Sequence, residues 1–173
     1  KRFSQLKTFK NVIQPQTNYL SEDDPVKGNW YKIFINRNPI IIELGCGAGE
    51  YTNGLARLFT NINFIGIDIK GARIWKGAKI AKDENLLNVR FLRTKIDFIN
   101  KFFSKNEIDE IWLTFSDPQP KKPRKRLTSE LFVNRYRLFL KNNGVINLKT
   151  DSDLLYNYTK EEIFNHNYFL IKD

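Results

Sequence analysis

The sequence predicts an α/β fold: a mostly parallel, twisted sheet with helices on both faces. Three observations carry this. Apolar runs of strand length alternate with segments of helical periodicity along most of the 173 residues. A glycine-rich turn joins the first clear run to the helix after it. Acidic residues recur just past the runs, where a parallel sheet presents its carboxyl ends and binds ligands.

Taken in order, residues 1–24 are polar and basic, an N-terminal arm with a short apolar anchor at Val12 and Ile13. Residues 28–35 (GNWYKIFI) group Trp30, Tyr31, Ile33 and Phe34 as in a lead-in turn of amphipathic helix, with the aromatics expected to pack rather than stack on bases. Residues 39–44 (PIIIEL) are continuously apolar up to Glu43, as a strand buried on both faces requires. A turn at 45–49 and a helix at 50–59 follow. A second strand is expected at 62–69, and a helix at 71–84 with Ile74, Trp75, Ala78 and Ala81 on one face. A third strand at 89–92, a short helix at 97–103 and a fourth strand at 109–115 (DEIWLTF) come next. A helix over 128–140, closed by Asn143 and Gly144, leads to a fifth strand at 145–148. A helix over 152–164, capped by Ser152 or Asp151, precedes a sixth strand beginning at 168–171. The C-terminal strands of such a sheet are therefore expected to be incomplete. The organisation is an arm and lead-in helix over 1–36 and one α/β domain over 37–173.

Composition narrows the partners. Hydrophobic residues at 41%, with 14% aromatic, suit a packed core rather than a disordered chain. No run approaches the ~18 apolar residues that span a bilayer, and the start, KRFSQLKTFK, lacks the apolar centre of a secretory signal. One cysteine (Cys46) and one histidine (His166) leave no disulfide framework and no zinc-type ligand set, so no metal is expected. The reading is a cytoplasmic protein, a monomer or homodimer. Its net charge of +10, from 29 basic against 19 acidic residues, favours a polyanion such as nucleic acid.

That charge is concentrated in residues 115–126, FSDPQPKKPRKR. Neither strand nor helix continues through Pro118 and Pro120. An acid, Asp117, therefore sits at the mouth of a strand, followed by a stiff loop with five basic residues in six positions, Lys121 to Arg126. Such a loop suits a polyanion held beside a reactive group.

The second motif is ELGCGAGE, residues 43–50. Its glycines allow a tight turn and close approach of a ligand to the backbone. A dinucleotide fingerprint would place a glycine where Glu50 stands, and an acid there repels a pyrophosphate. Glu43 and Glu50 instead suit a ligand with cationic groups, of which S-adenosylmethionine is one. Asp68, at the end of the second strand, is placed to accept hydrogen bonds from ribose hydroxyls.

The segments IIELGCGAGEYT, FIGIDIKGARIWKGA, FSDPQPKKPRKRLTSELFVNRY and INLKTD resemble the tRNA (guanine-N7)-methyltransferase family, within the Rossmann-like class I S-adenosylmethionine-dependent methyltransferases. The resemblance covers roughly residues 40–153. It implies that residues 37–173 form an S-adenosylmethionine-dependent methyltransferase domain acting on tRNA. It implies cofactor contacts from Glu43, Gly45, Gly47, Asp68, Ile96, Asp97 and Asp117, with Asp117 also the active-site acid. Lys121 and Asp151 would contact the substrate. Ser116 and Gln119 replace the family's usual Pro and Trp, and the adenine-side acid falls on Lys95 unless Asp97 serves. The family's C-terminal T-x-x-E motif has no match, so the chain is expected to be part of a longer protein. Other classes remain open on residues alone. They are methyl transfer to another RNA or protein nucleophile, an RNA-binding homologue without catalysis, and a dehydrogenase, which Glu50 disfavours.

Overall fold

A computed structural model of the chain describes residues 2–15 and 22–173. Parts of the expected N-terminal arm, residue 1 and residues 16–21, lie outside the described residues.

Among the described residues six parallel strands form one sheet: β1 (Val12–Ile13), β2 (Ile40–Leu44), β3 (Asn63–Asp68), β4 (Val89–Arg93), β5 (Ile108–Thr114) and β6 (Leu140–Lys149). Their spatial order is β1-β4-β3-β2-β5-β6. The chain therefore winds outward from β2 in one direction, then returns to β2 and continues through β5. The switch lies between β2 and β5, the place where open parallel sheets leave a crevice at their carboxyl edge.

Helices α1 (Arg2–Leu6), α2 (Trp30–Phe34), α3 (Glu50–Leu58), α4 (Gly71–Asp83), α5 (Glu130–Tyr136) and α6 (Asp153–Asn165) cover the sheet. β2 and β3 are buried on both faces, which is why their sequences run apolar without alternation. On one face Trp30, Phe102, Phe103, Tyr136 and Phe139 pack against Ile42, Ile65 and Leu113. Trp30 is fully buried, stacked on Phe103 with ring centroids 5.4 Å apart, and its indole N–H donates to the Phe102 carbonyl at 2.9 Å. Burying a side chain of that size stabilises the fold by roughly 4–6 kcal/mol, so this lead-in aromatic is core, as its spacing suggested. On the other face Ile74, Ala78 and Ala81 of α4 pack with Ala56 and Phe91, and Leu6 of the arm joins them. The basic arm is thus docked at this point, and β1 extends the sheet beside β4.

Three expectations are corrected after β5. The helix expected over 128–140 is only α5, because Ser129 sets its start and the chain turns at 137–139 into β6. Asn143 and Gly144 do not close a helix; they lie inside β6, where the register shifts so that between the Ile108–Leu140 and Glu110–Val145 pairs one residue of β5 faces four of β6. No strand forms at 168–171. Phe169 is 97% exposed and Ile171 75% exposed, and that stretch finds no neighbouring strand among the described residues. Ser152, not Asp151, caps α6, its hydroxyl accepting from the Leu155 N–H at 3.3 Å. The expected helix at 97–103 is a 3-10 turn over Ile96–Lys101.

Candidate active site

The turn after β2 is built around one buried carboxylate. Glu43 is 6% exposed and ends in three donors. The Thr52 N–H at 2.9 Å and the Thr52 hydroxyl at 2.5 Å reach Oε2, and the Thr114 hydroxyl reaches Oε1. Burial pushes the carboxyl pKa up, and the Thr114 and Thr52 hydrogen bonds offset only part of that rise. Glu43 therefore ties the first turn of α3 to the end of β5 across the switch point. Neither threonine stood out in the sequence, since a buried threonine without its partner carries no signal.

The glycines of the turn divide by role. Gly47 has φ 58° and donates its N–H to Asp68 Oδ2 at 3.1 Å, joining the turn to the end of β3. Asp68 Oδ1 accepts the Lys70 N–H at 2.7 Å. Each oxygen thus keeps a second acceptor direction. A Cβ at Gly45 or Gly47 would meet nothing within 4 Å, so open space lies beside both. At Gly49 a Cβ would fall 2.7 Å from the Phe91 ring; that glycine serves packing.

Asp117 stands exposed past β5, its Oδ1 accepting the Gln119 N–H at 2.9 Å. This local turn places Asp117 and Lys121 on one open cleft of about 280 Å³, lined also by Gln119, Pro120 and Lys122. The basic run does not act as a unit. Lys121, Lys122 and Arg124 are exposed and form no salt bridge among the described residues. Lys125 pairs with Asp97 at 3.0 Å. Arg126 turns inward: it is 6% exposed, its Nε donates to the Pro118 carbonyl at 2.8 Å, and its guanidinium lies 4.3 Å from the Tyr158 ring centre. The expectation that all five basic residues grip phosphate is corrected there, because Arg126 clamps the loop to α6.

Asp97 and Ile96 lie past β4 in the 3-10 turn, Ile96 half-buried. Partial burial works against ionisation of Asp97, but Lys125 and Arg135 (3.4 Å) outweigh it and hold the carboxyl below its usual range. The Asp97 carboxylate is thus engaged with the basic loop. Asp151 is exposed just past β6. The structure brings Glu43, Gly45, Gly47, Asp68 and Asp117 to the carboxyl edge around the switch point, with Lys121 on the same cleft as Asp117. Ile96 and Asp97 flank that edge on the β4 side and Asp151 on the β6 side. Among the described residues no group of three or more His, Cys, Asp or Glu could hold a metal ion. Cys46 is buried, its thiol pKa pushed up by burial and by Glu43 and Asp68.

A family model described as "Putative methyltransferase" matches residues 37–170. The tRNA (guanine-N(7)-)-methyltransferase of Bacteroides fragilis (strain YCH46) is 51% identical over 92% of this chain and 64% of its own length. That of Christiangramia forsetii is 50% identical over 92% of this chain and 73% of its own. The chain thus spans about two-thirds of these relatives. Among solved structures, an antibiotic-related methyltransferase superposes with TM-score 0.63 at 20% identity, covering 91% of this chain and 81% of that one. An aminoglycoside resistance methyltransferase, NpmB1, gives 0.58 at 20% identity, covering 82% and 69%. At those identities the likeness speaks for the fold, which is that of the class I methyltransferases. With half the residues shared along most of its length, the chain belongs to the tRNA (guanine-N(7)-)-methyltransferase family.

Proposed function

We propose that this chain carries the catalytic domain that transfers a methyl group from S-adenosylmethionine to N7 of a guanine in tRNA, in the variable loop, forming 7-methylguanosine in the cytoplasm. The observation that carries the reading is a shared carboxyl edge at the switch point: the turn after β2, with open space beside Gly45 and Gly47, and Asp117 past β5, which shares its cleft with Lys121 and Lys122.

The residues present fit the cofactor. Gly45 and Gly47 leave open space for a ligand against the turn, and Asp68 keeps acceptor directions for ribose hydroxyls. Glu43 sets a negative field behind that turn, suited to an ammonium group, and Ile96 and Asp97 bound the adenine side. When bound, S-adenosylmethionine supplies an electrophilic methyl group on a sulfonium.

Guanine N7 offers a lone pair and no proton, so no general base is needed to activate it. The chain's work is to hold N7 at near-attack distance. The opposite edge of guanine carries the N1 and N2 donors, and these require acceptors. Asp117 uses Oδ1 for Gln119 and keeps Oδ2 for the base; Asp151, just past the strand that pairs with β5, supplies a second carboxylate. The same negative field stabilises positive charge arriving on the ring. Lys121, Lys122 and Arg124 hold phosphates, giving affinity that falls with salt and carries no sequence information. Leu6 and β1 dock the described part of the basic arm onto the domain read as residues 37–173.

Incubation with methyl-labelled cofactor and unmodified tRNA, followed by nucleoside digestion, tests the reading. Label in 7-methylguanosine is expected; label in another nucleoside, or in protein, refutes the assignment to N7.

A further inference from the structure

An aromatic pair stands beside Asp117 where core packing does not require one. Phe115 directly follows β5, is 52% exposed, and holds φ 48°, a left-handed conformation uncommon for a bulky residue. Its N–H donates to the Lys149 carbonyl at 2.8 Å, which fixes that backbone against β6. Tyr51, in the first turn of α3, brings its ring centre to 6.2 Å from that of Phe115, with the planes at 56°. The Lys149 ammonium lies over both, 5.2 Å from the Tyr51 ring centre and 5.8 Å from that of Phe115.

The three side chains come from the start of α3, the residue after β5 and the last residue of β6, and they come together at the carboxyl edge. Glu43 holds the meeting point together, because Thr52 and Thr114, its two partners, are the chain neighbours of Tyr51 and Phe115. A left-handed backbone at an exposed phenylalanine is strained and persists where the surroundings enforce it, commonly at ligand sites. The pair already holds a cation on its faces. A guanine methylated at N7 is a flat ring bearing a positive charge, the ligand that stacking and cation–π attraction both favour.

Resting on the reading of the chain as a guanine-N7 methyltransferase, we propose that Tyr51 and Phe115 form the stacking face for the target purine. The Lys149 ammonium occupies that face in the free protein and is displaced when the base enters. The rings then interact more strongly with the base as it gains charge than with neutral guanine, which is the sense that favours turnover.

The test uses the whole chain with 7-methylguanosine and guanosine as separate probes, followed by saturation-transfer NMR and titration. 7-Methylguanosine is expected to bind more tightly than guanosine. F115L and Y51L should each weaken its binding by about 5- to 150-fold, while F115Y keeps it. K149Q, which removes the competing ammonium, is expected to bind the cationic nucleoside at least as tightly as the wild type. Unchanged S-adenosylmethionine affinity in F115L, by calorimetry, shows that the cofactor side is intact. Equal binding of 7-methylguanosine by wild type, F115L and Y51L overturns the stacking face, and weaker binding by K149Q overturns the displacement. If the wild type binds 7-methylguanosine in this way yet methylates no tRNA, the enzymatic reading falls and the stacking face stands. If it methylates tRNA and both leucine variants do so undiminished, the reverse holds.

Discussion

Replacing Glu43 with alanine should loosen the crevice from inside. The substitution strands three donors: the Thr52 amide, the Thr52 hydroxyl and the Thr114 hydroxyl, on residues 1% and 7% exposed. Each buried donor left without a partner costs about 1–3 kcal/mol. Water entering the vacated space and relief of the desolvated carboxylate recover part of that. A net loss of about 2–4 kcal/mol is expected, which for a domain this size lowers Tm by roughly 4–16 °C. E43Q separates shape from charge, since its carbonyl can still accept from Thr52 and its amide can donate to the Thr114 hydroxyl oxygen. Glu43 has a raised folded pKa, so the stability linked to its protonation is fully present below the unfolded value near 4.5 and is lost as pH rises through the folded value. The Tm of wild type minus that of E43Q should therefore fall as pH climbs above 4.5. Denaturant and thermal melts from pH 4 to pH 8 measure both effects. An E43A melt coincident with wild type, or a Tm difference that rises with pH, refutes the reasoning.

Other outcomes follow from the same geometry. Asp117→Ala removes one exposed hydrogen bond to Gln119, so the fold should hold while methyl transfer drops by about 100-fold or more; thermal melts and single-turnover assays check this, and near-normal turnover removes Asp117 from its role. Neutralising Lys121, Lys122 and Arg124 together should flatten the plot of log tRNA affinity against log salt by up to about 3, and an unchanged slope contradicts phosphate contact. Arg126→Gln should instead lower Tm with little change in that slope, because its guanidinium is committed to Pro118 and Tyr158. Asp97, held below its ordinary value of 3.8, gives stability that is present above that pH and lost as pH falls through its lowered folded value. The Tm advantage of wild type over D97N should accordingly persist at pH 4 and fade only in stronger acid.

What the sequence made legible was what local pattern encodes. β2 and β3 are unbroken apolar runs because both faces are covered, and the turn after β2 needs glycines at left-handed φ, so both were readable without tertiary knowledge. Asp68 and Asp117 stood out because they lie at or just past the ends of apolar strand runs. Long-range pairing decided the rest. The stretch after Tyr136 has helical spacing, yet it is drawn into β6 by the open edge of β5. Residues 168–171 have strand composition but no partner strand among the described residues, and composition alone forms no ladder. Arg126 looked like its neighbours in a basic run, and only the position of Tyr158 and the Pro118 carbonyl turns it inward. Tyr51, Phe115 and Lys149 are far apart in the chain and carried no shared signal.

The central claim is that a small cationic methyl donor lies at the carboxyl edge between β2 and β5, within reach of Asp117. A crystal structure of the chain with S-adenosylhomocysteine tests it most directly. The account requires the ribose hydroxyls at hydrogen-bond distance from Asp68, the amino-acid end against Gly45 and Gly47, and the sulfur facing the cleft shared by Asp117 and Lys121. A ligand seated elsewhere, or one whose sulfur faces away from Asp117, would contradict it.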